Sequence, residues 1–234
     1  MNMSQSPFGA PSQMGVRPAT ALAASFLTQA FTWMFAGLLL TAAVAWFVGG
    51  SAALVEFAAR NLLWLFLGQL ALVVVIGAAI NRIGATIALG LFFVYAATLG
   101  LTVGLIVTFY TGESVATAFL SAGAMFGAAA LYGATTKRSL VGIGGFLMMG
   151  LVGLIVASVV NIFLASEPVA YLISFAGVAI FTVLTAYDVQ RISSGDLAAR
   201  YGSMEKAAVV GALHLYLDFI NLFLFLLRIF GDRR

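Results

Sequence analysis

The chain has 234 residues, of which 63% are hydrophobic and 8% are charged. Such a composition excludes a soluble domain and indicates a protein whose solvent is the lipid bilayer. The net charge of +3 comes from 11 basic and 8 acidic residues scattered among the ends of apolar runs, unlike the basic stripe of a nucleic-acid-binding protein, so we expect no nucleic-acid partner.

The first 24 residues differ in composition from the rest of the chain. They are polar and rich in Gly, Pro and Ser, and they lack a charged segment followed by a short apolar core. This pattern predicts that residues 1–24 are a flexible cytosolic N-terminal tail and not a cleaved signal peptide. Residues 25–234 are predicted to form one transmembrane domain, because the connections between its apolar runs are short except at residues 191–206.

Apolar runs of about 20 residues recur along this domain, and each is long enough as a helix to cross a hydrocarbon layer of ~30 Å. Lipid cannot satisfy open backbone groups, so the spans must be helical. We therefore predict an all-α membrane protein, a bundle of seven transmembrane helices. The predicted spans are residues 29–48, 62–80, 83–109, 115–134, 140–164, 169–190 and 207–230.

Two glycine pairs have a spacing that allows helices to approach closely. They are Gly100 with Gly104, and Gly123 with Gly127. Small residues four positions apart lie on one face of a helix and are common at helix interfaces in membranes. Both pairs are therefore predicted to be packing faces.

The basic residues near the span ends favour an N-terminus in the cytoplasm. With that orientation, seven of the 11 basic residues lie on the cytoplasmic side: Arg17, Arg82, Lys137, Arg138, Arg191, Arg200 and Lys206. Arg233 and Arg234 conflict with a seven-span chain that ends outside. A last segment that turns back would remove the conflict, so the side of the C-terminus stays open.

Asp188 and Asp218 lie in the last two apolar spans. A carboxylate at the centre of a bilayer costs roughly 2.5–3.5 kcal/mol on insertion scales, so an acid at this depth is a functional-site hypothesis. Their sequence midpoint is Ser203, and a hairpin tip near that residue would place both acids at similar depth, ~22 Å along each helix. In the alternative, residues 193–195 end the sixth helix early and leave Asp188 nearer the surface.

Two carboxylates in contact would share a proton near neutrality, since two adjacent negative charges in a low dielectric are costly. Such a pair is a pH switch, with calcium and protons as its partners. Protonated, it closes by a short hydrogen bond; ionised, it attracts a cation, and its oxygens suit Ca²⁺. Asp188 and Asp218 alone would hold calcium weakly and transiently, which favours conduction.

Three further polar residues are candidates for the same site. His214 and Asn221 share a face of the last helix with Asp218, and Arg82, at the end of the second span, is a candidate counter-ion. The alternative is that the polar groups, the aspartates included, hold the bundle together by interhelical hydrogen bonds and that Arg82 is an interfacial anchor. The chain has no cysteine and a single histidine, so we expect no thiolate or zinc site and no cofactor.

Three segments carry a resemblance to the Bax inhibitor family, and the similarity extends over essentially the whole chain after the tail. They are residues 131–138 (Leu-Tyr-Gly-Ala-Thr-Thr-Lys-Arg), 185–190 (Thr-Ala-Tyr-Asp-Val-Gln) and 213–231, which begins Leu-His-Leu-Tyr-Leu-Asp-Phe-Ile-Asn. The chain most resembles the bacterial inner-membrane branch, which implies a multi-pass protein of the inner membrane.

The resemblance implies that the last of the seven helices lies near the centre of the bundle and that the protein is a pH-sensitive calcium leak. Asp188 and Asp218 occupy the motif positions of the paired aspartate sensor. Arg82 is the candidate for the latch, the arginine of the second helix in that family. His214 is not part of the family pattern. Whether transport is a channel leak or proton-coupled exchange is left open.

Two other classes of function are considered. An intramembrane aspartyl protease also uses two acids that share a proton, but its Gly-x-Gly-Asp and Pro-Ala-Leu motifs do not occur, so we expect no enzyme and no catalytic residue. The alternative function is an integral membrane modulator of a membrane quality-control protease, which one branch of the family resembles. Residues 1–24 would then be the docking element.

Overall fold

The computed structural model describes residues 20–232, and it describes their side chains from Ser25 onward. The secondary structure of these residues consists of α-helices and one short 3₁₀ helix. In chain order they are α1 (Thr20–Gly49), α2 (Ala52–Arg60), α3 (Leu62–Ala79), α4 (Ala85–Val107), α5 (Gly112–Thr135), a single 3₁₀ turn (Val141–Ile143), α6 (Gly144–Leu164), α7 (Glu167–Ser193), α8 (Asp196–Tyr201) and α9 (Met204–Phe230).

Seven of the helices within residues 20–232 are long and apolar enough to cross a membrane. They are α1, α3, α4, α5, α6, α7 and α9, and each coincides with one predicted span. The seven-helix architecture is therefore confirmed. The predicted tail lies outside the described residues, except that α1 already begins at Thr20.

Two short helices, α2 and α8, lie in segments that the sequence left unassigned. The Ser51 side chain accepts a hydrogen bond from the backbone N–H of Leu54 and caps α2, which carries a Glu56–Arg60 ion pair on its exposed side. Helix α8 lies between Gly195 and Gly202, both with positive φ. Only glycine adopts this conformation at no steric cost, so these two positions let the chain leave α7 and enter α9.

Helix α9 is the centre of the bundle. Of its apolar window 72% is buried, against 44% for α4 and 11% for α3 and α6. It packs against α1, α5 and α7. The expectation that the last helix lies near the centre is therefore confirmed.

The connections divide the molecule into two ends. At one end, the α3–α4 turn meets the start of α9, where Lys206 Nζ donates to the Asn81 carbonyl over 3.3 Å. At the same end, the last turns of α7 meet the α5–α6 connection, where Gln190 Nε2 donates to Arg138 O over 2.8 Å. We call this the proximal end. It carries all of the predicted cytoplasmic basic residues that the structure describes, which supports their grouping on one side.

The other end, called distal, receives the C-terminus of α9. The backbone N–H of Thr111 donates to Asp232 O over 3.2 Å, and the backbone N–H of Asp232 donates to Ser114 Oγ over 2.9 Å. Helix α9 thus crosses the bundle without interruption. A last segment that turns back, which the sequence left open, does not occur in α9, because these contacts fix its C-terminal end beside the α4–α5 connection.

The two glycine pairs have different surroundings. A Cβ on Gly100 or Gly104 would lie 2.6 Å from Val44 or Val48, so α1 and α4 meet closely at this pair. A Cβ on Gly123 or Gly127 would meet no atom within 4 Å. The second pair is therefore not a packing face within the described chain, and that prediction is wrong. Close approach of α5 occurs instead at Gly133, which lies directly against the backbone of Ala186.

Candidate functional site

The two aspartates lie on antiparallel helices that pack together along much of their length, α7 and α9. Asp188 is 7% exposed and Asp218 is 4% exposed, so both carboxyls are buried. His214, one turn before Asp218 on α9, contacts Asp188, so the two carboxyls lie within about one helical turn of each other. The helix pair therefore brings the predicted acids into one site.

Asp188 is flanked by two basic side chains. His214 Nδ1, on α9, lies 3.5 Å from Asp188 Oδ1, and Arg191 Nη1, one turn along α7, lies 3.8 Å from the same oxygen. The Arg191 guanidinium also stacks over the ring of Tyr187, 5.3 Å from its centroid. His214 Nδ1 makes no hydrogen bond among the described residues, but its close approach shows that the Asp188 carboxyl faces α9.

Asp218 has a different environment. Its Oδ2 is buried and accepts no hydrogen bond from any of the residues that the structure describes. A bare carboxylate oxygen in a low dielectric is costly, and a proton or a cation relieves that cost. Asp218 therefore presents an oxygen that is ready to accept either one.

The acids are not at equal depth. Asp188 is level with His214, which precedes Asp218 by four residues, so Asp218 lies about 6 Å deeper along α9. Matched depth, one of the two alternatives that the sequence left open, does not occur, because α7 ends at Ser193 and α8 occupies the connection. The structure follows the alternative, in which Asp188 is nearer the proximal end. Among the hydrogen bonds of residues 25–232, none joins the two carboxyls directly.

The other predicted site residues are only partly brought to the acids. His214 is in contact with Asp188, whereas Asn221 Nδ2 donates to the Leu217 carbonyl of its own helix over 2.8 Å. Arg82 is exposed in the α3–α4 turn, and its guanidinium makes no ion pair within the described part of the chain. Its role as a latch stays a prediction.

The polar residues continue beyond the acids as a stripe on each helix. We call the two stripes together the polar seam. The spacings within the stripes are three, four, seven or eleven residues, each close to a whole number of helical turns, so each stripe stays on one helix face. On α7 the seam comprises Ser174, Thr185 and Asp188, and on α9 it comprises His214, Asp218, Asn221 and Arg228. The Ser174 and Thr185 hydroxyls donate to backbone carbonyls of α7 and keep free lone pairs.

One apolar constriction interrupts the seam. The rings of Phe181 and Phe225 lie 6.0 Å apart, and the Phe225 ring fills the space left by Gly177, where a Cβ would lie 2.5 Å from a ring carbon. This constriction separates the buried acids from the distal end. Hydrophobic constrictions of this kind close membrane pores by excluding water.

Beyond the constriction lies the distal cleft, a cavity of about 390 Å³ between α6, α7 and α9. Its polar lining includes Ser158, Asn161, Glu167, Ser174 and Arg228. The Asn161 Oδ1 atom is buried without a hydrogen-bond partner among the described residues. The distal cleft therefore offers polar groups in line with the seam.

Sequence reasoning missed three parts of this site. The sequence assigns Arg191 only to the basic residues of the cytoplasmic side. Its position three residues after Asp188 is the signal that indicates an ion pair between the two side chains. Phe181 and Phe225 look like ordinary core residues in the sequence. Their pairing depends on Gly177, whose role is visible only when α7 and α9 are placed together.

Some predictions concern parts of the molecule that the described residues do not test. The docking element of the modulator alternative is residues 1–24, most of which lie outside the described residues, so that alternative stays a prediction. Groups of three or more His, Cys, Asp or Glu side chains that could hold a metal ion are absent from the described residues. Any calcium at the seam would thus meet at most two carboxylate side chains of these residues.

Comparison with known proteins identifies the family. Residues 23–234 match the family model described as inhibitor of apoptosis-promoting Bax1. The inner membrane protein YbhL of Escherichia coli K12 is 46% identical over 216 residues, covering 90% of this chain and 92% of YbhL. Proteins of Deinococcus radiodurans and Borreliella burgdorferi are 40% and 41% identical, each match covering 89% of this chain and 91% and 92% of theirs. Matches of this length, together with the seven apolar helices, show that the chain belongs to the Bax inhibitor family of multi-pass membrane proteins.

Proposed function

We propose that the protein is a slow, pH-sensitive cation leak of the bacterial inner membrane, that calcium is among its ions, and that Asp188 and Asp218 are its sensor. The observation that carries this proposal is the buried Oδ2 of Asp218, which lacks a hydrogen-bond partner among the described residues and lies near a second carboxyl. A buried acid with this environment is an expensive way to hold helices together. It suits a group that exchanges protons or ions.

The chemistry of the pair supports cations over anions. Carboxylate oxygens are ligands that Ca²⁺ prefers, and the two acids with the half-buried His214 lie on the seam between α7 and α9. Protonation neutralises the carboxyls and removes their attraction for a cation. We therefore expect flux to be low when the pair is protonated and to rise as the pH rises.

The offset of the two acids suits transit. An ion that enters from the proximal end would meet Asp188 first and Asp218 about 6 Å further on. The two carboxylates would therefore not bind the ion at the same time. Conduction needs binding that is weak enough to release the ion. Beyond Asp218 the Phe181–Phe225 constriction closes the path to the distal cleft, which accounts for a slow leak and not an open pore.

The orientation is part of the proposal. The proximal end, with Lys137, Arg138, Arg191, Arg200 and Lys206, is placed in the cytoplasm by the rule that basic residues stay on that side. The distal cleft then faces the outside of the cell membrane. In this proposal the acids bind ions and protons and take no part in catalysis.

The test is calcium entry into proteoliposomes from about pH 6 to pH 8, the range in which a coupled carboxyl pair can exchange its shared proton. The native chain is compared with the double variant Asp188→Asn, Asp218→Asn, and with Asp196→Asn as a matched control that removes an acid of α8. We expect the native chain and the control to show flux that rises with pH, and the double variant to lose that dependence while keeping its fold.

Two outcomes would count against the proposal. An unchanged pH profile in the double variant would remove the sensor assignment. No native flux above that of empty liposomes at any pH would remove the leak itself. Flux that requires an opposing proton gradient would instead assign the same site to proton-coupled exchange.

A further inference from the structure

One cavity within residues 25–232 does not touch the polar seam. It has a volume of about 610 Å³ and lies between α1, α4, α5 and α9. Its wall on α9 is formed by Phe219, Ile220 and Phe223, and this wall is centred on the side of the helix away from Asp218. The cavity is therefore separate from the proposed ion path.

The cavity opens sideways between two helices. Helices α1 and α5 meet nearer the proximal end, where the rings of Phe31 and Phe126 lie 6.2 Å apart in an edge-to-face contact. Towards the distal end the cavity lies between them, with Trp46 of α1 82% exposed and Phe119 of α5 50% exposed at its sides. In a chain that spans the bilayer, an opening at this depth faces hydrocarbon.

The inner wall is closed by a hydrogen-bonded layer. Thr41 Oγ1 lies 2.6 Å from the hydroxyl of Tyr216, 2.9 Å from Ala96 O and 3.0 Å from Gly37 O. The ring of Tyr216 packs edge-on against Phe92 and Tyr95. The cavity thus ends at this layer and does not continue to the proximal end.

Water is a poor occupant for this space. The lining has only two hydroxyl groups, those of Thr41 and Thr108, and the proton of each is already donated, that of Thr108 to Leu105 O over 2.7 Å. A buried water needs two to four polar partners, and cavities lined by apolar side chains stay dry. An empty space of this size would forfeit the dispersion contacts of all its walls.

We propose that this cavity is a binding site for one hydrocarbon chain of a bilayer lipid, inserted between α1 and α5 against α9. The volume falls within the range of roughly 300–1,000 Å³ that is typical of small-molecule sites. Gly49, Gly50 and Thr108, at the distal ends of α1 and α4, line the part of the cavity nearest the membrane surface. The headgroup stays there while the chain fills the apolar part.

The test uses proteoliposomes that contain phosphatidylglycerol with a photoreactive diazirine near the end of one acyl chain. After irradiation, the labelled residues are mapped by mass spectrometry. Phe219, Ile220 and Phe223 are only 5–6% exposed, so lipid that merely surrounds the protein cannot reach them. We expect label on these three residues in addition to the lipid-facing surface.

A pair of variants distinguishes label that reaches α9 through the cavity from label that reaches α9 in another way. Ala42 is exposed and lines the cavity, whereas Ala43 is equally exposed but does not line it. We expect Ala42→Phe to lose most of the label on α9 and Ala43→Phe to keep it. Both variants should retain the label on outward-facing residues such as Trp64, which controls for the amount of reactive lipid.

The outcomes do not depend on ion transport. Label confined to the outer surface of the native chain would overturn the proposal, and so would equal label on α9 in the two variants. Loss of calcium flux has no bearing on either result, so failure of the leak and failure of the lipid site are distinguishable.

Discussion

The two faces of helix α9 contrast sharply in chemistry although they belong to one continuous helix. The face toward α7 carries His214, Asp218 and Asn221, and it meets another buried acid. The face toward α1, α4 and α5 carries Tyr216, Phe219, Ile220 and Phe223 and borders a cavity with a mostly apolar lining. A central helix can therefore bring charge into a membrane protein along one stripe while its other side remains as apolar as the lipid.

The difference has a structural cause. Polar residues three or four positions apart stay on one side of a helix, so the opposite face can consist of apolar side chains. Because α9 is the most buried of the described spans, neighbouring helices cover most of both faces. On α9, the face on which an acid lies decides whether its neighbours are polar groups or apolar side chains.

The largest expected effect comes from moving an acid to the other face. We expect Ile220→Asp to destabilise the protein by roughly 2.5–3.5 kcal/mol, the insertion cost of an aspartate at the centre of a span, because Ile220 is 6% exposed among apolar groups. The measurement is thermal unfolding in detergent, with Asp218→Asn as the control that should unfold near the native temperature. Equal stability of native protein and Ile220→Asp would mean that the two faces do not differ as described.

A second experiment compares two phenylalanines on the two faces. We expect Phe225→Ala to raise calcium flux severalfold and to keep its pH dependence, because the variant opens the constriction but leaves the acids in place. Phe223→Ala removes the same ring from the cavity side and should leave flux near the native level. The measurement is the same proteoliposome assay. Equal flux in the two variants would show that the seam is not the path.

The smallest effect is expected at the hydrogen-bonded layer. Tyr216→Phe removes one hydroxyl, and Thr41 keeps its two backbone carbonyl partners, so no donor is left unpaired. We expect a loss of about 1 kcal/mol in the free energy of unfolding and no change in the pH profile of flux. A changed profile would connect the apolar face to the ion path and would weaken the contrast between them.

Much of the fold was predictable from the sequence. The seven spans follow from hydropathy and length, because a bilayer of fixed thickness imposes both. The central place of α9 came from the resemblance to the Bax inhibitor family and not from its own pattern. Helices α2 and α8 were missed since short helices outside the bilayer leave no hydropathy signal.

The candidate site was predictable in its residues but not in its geometry. Asp188 and Asp218 stand out because acids are rare in apolar spans, yet their offset depends on where α7 ends and on the glycine turns around α8. The two glycine pairs show the same limit. Their spacing is identical, but only the pair of α4 faces another helix, and that choice belongs to the packing of the whole bundle.

The α7–α8–α9 connection also bears on the order of assembly. The seam joins residues that are near in sequence, whereas the bond between Thr41 and Tyr216 joins residues separated by 175 positions. Contacts between sequence neighbours require closure of a shorter loop and cost less chain entropy. The charged half of the molecule can thus form as a local helical hairpin, and the wall of the apolar cavity must wait until the first helix meets the last.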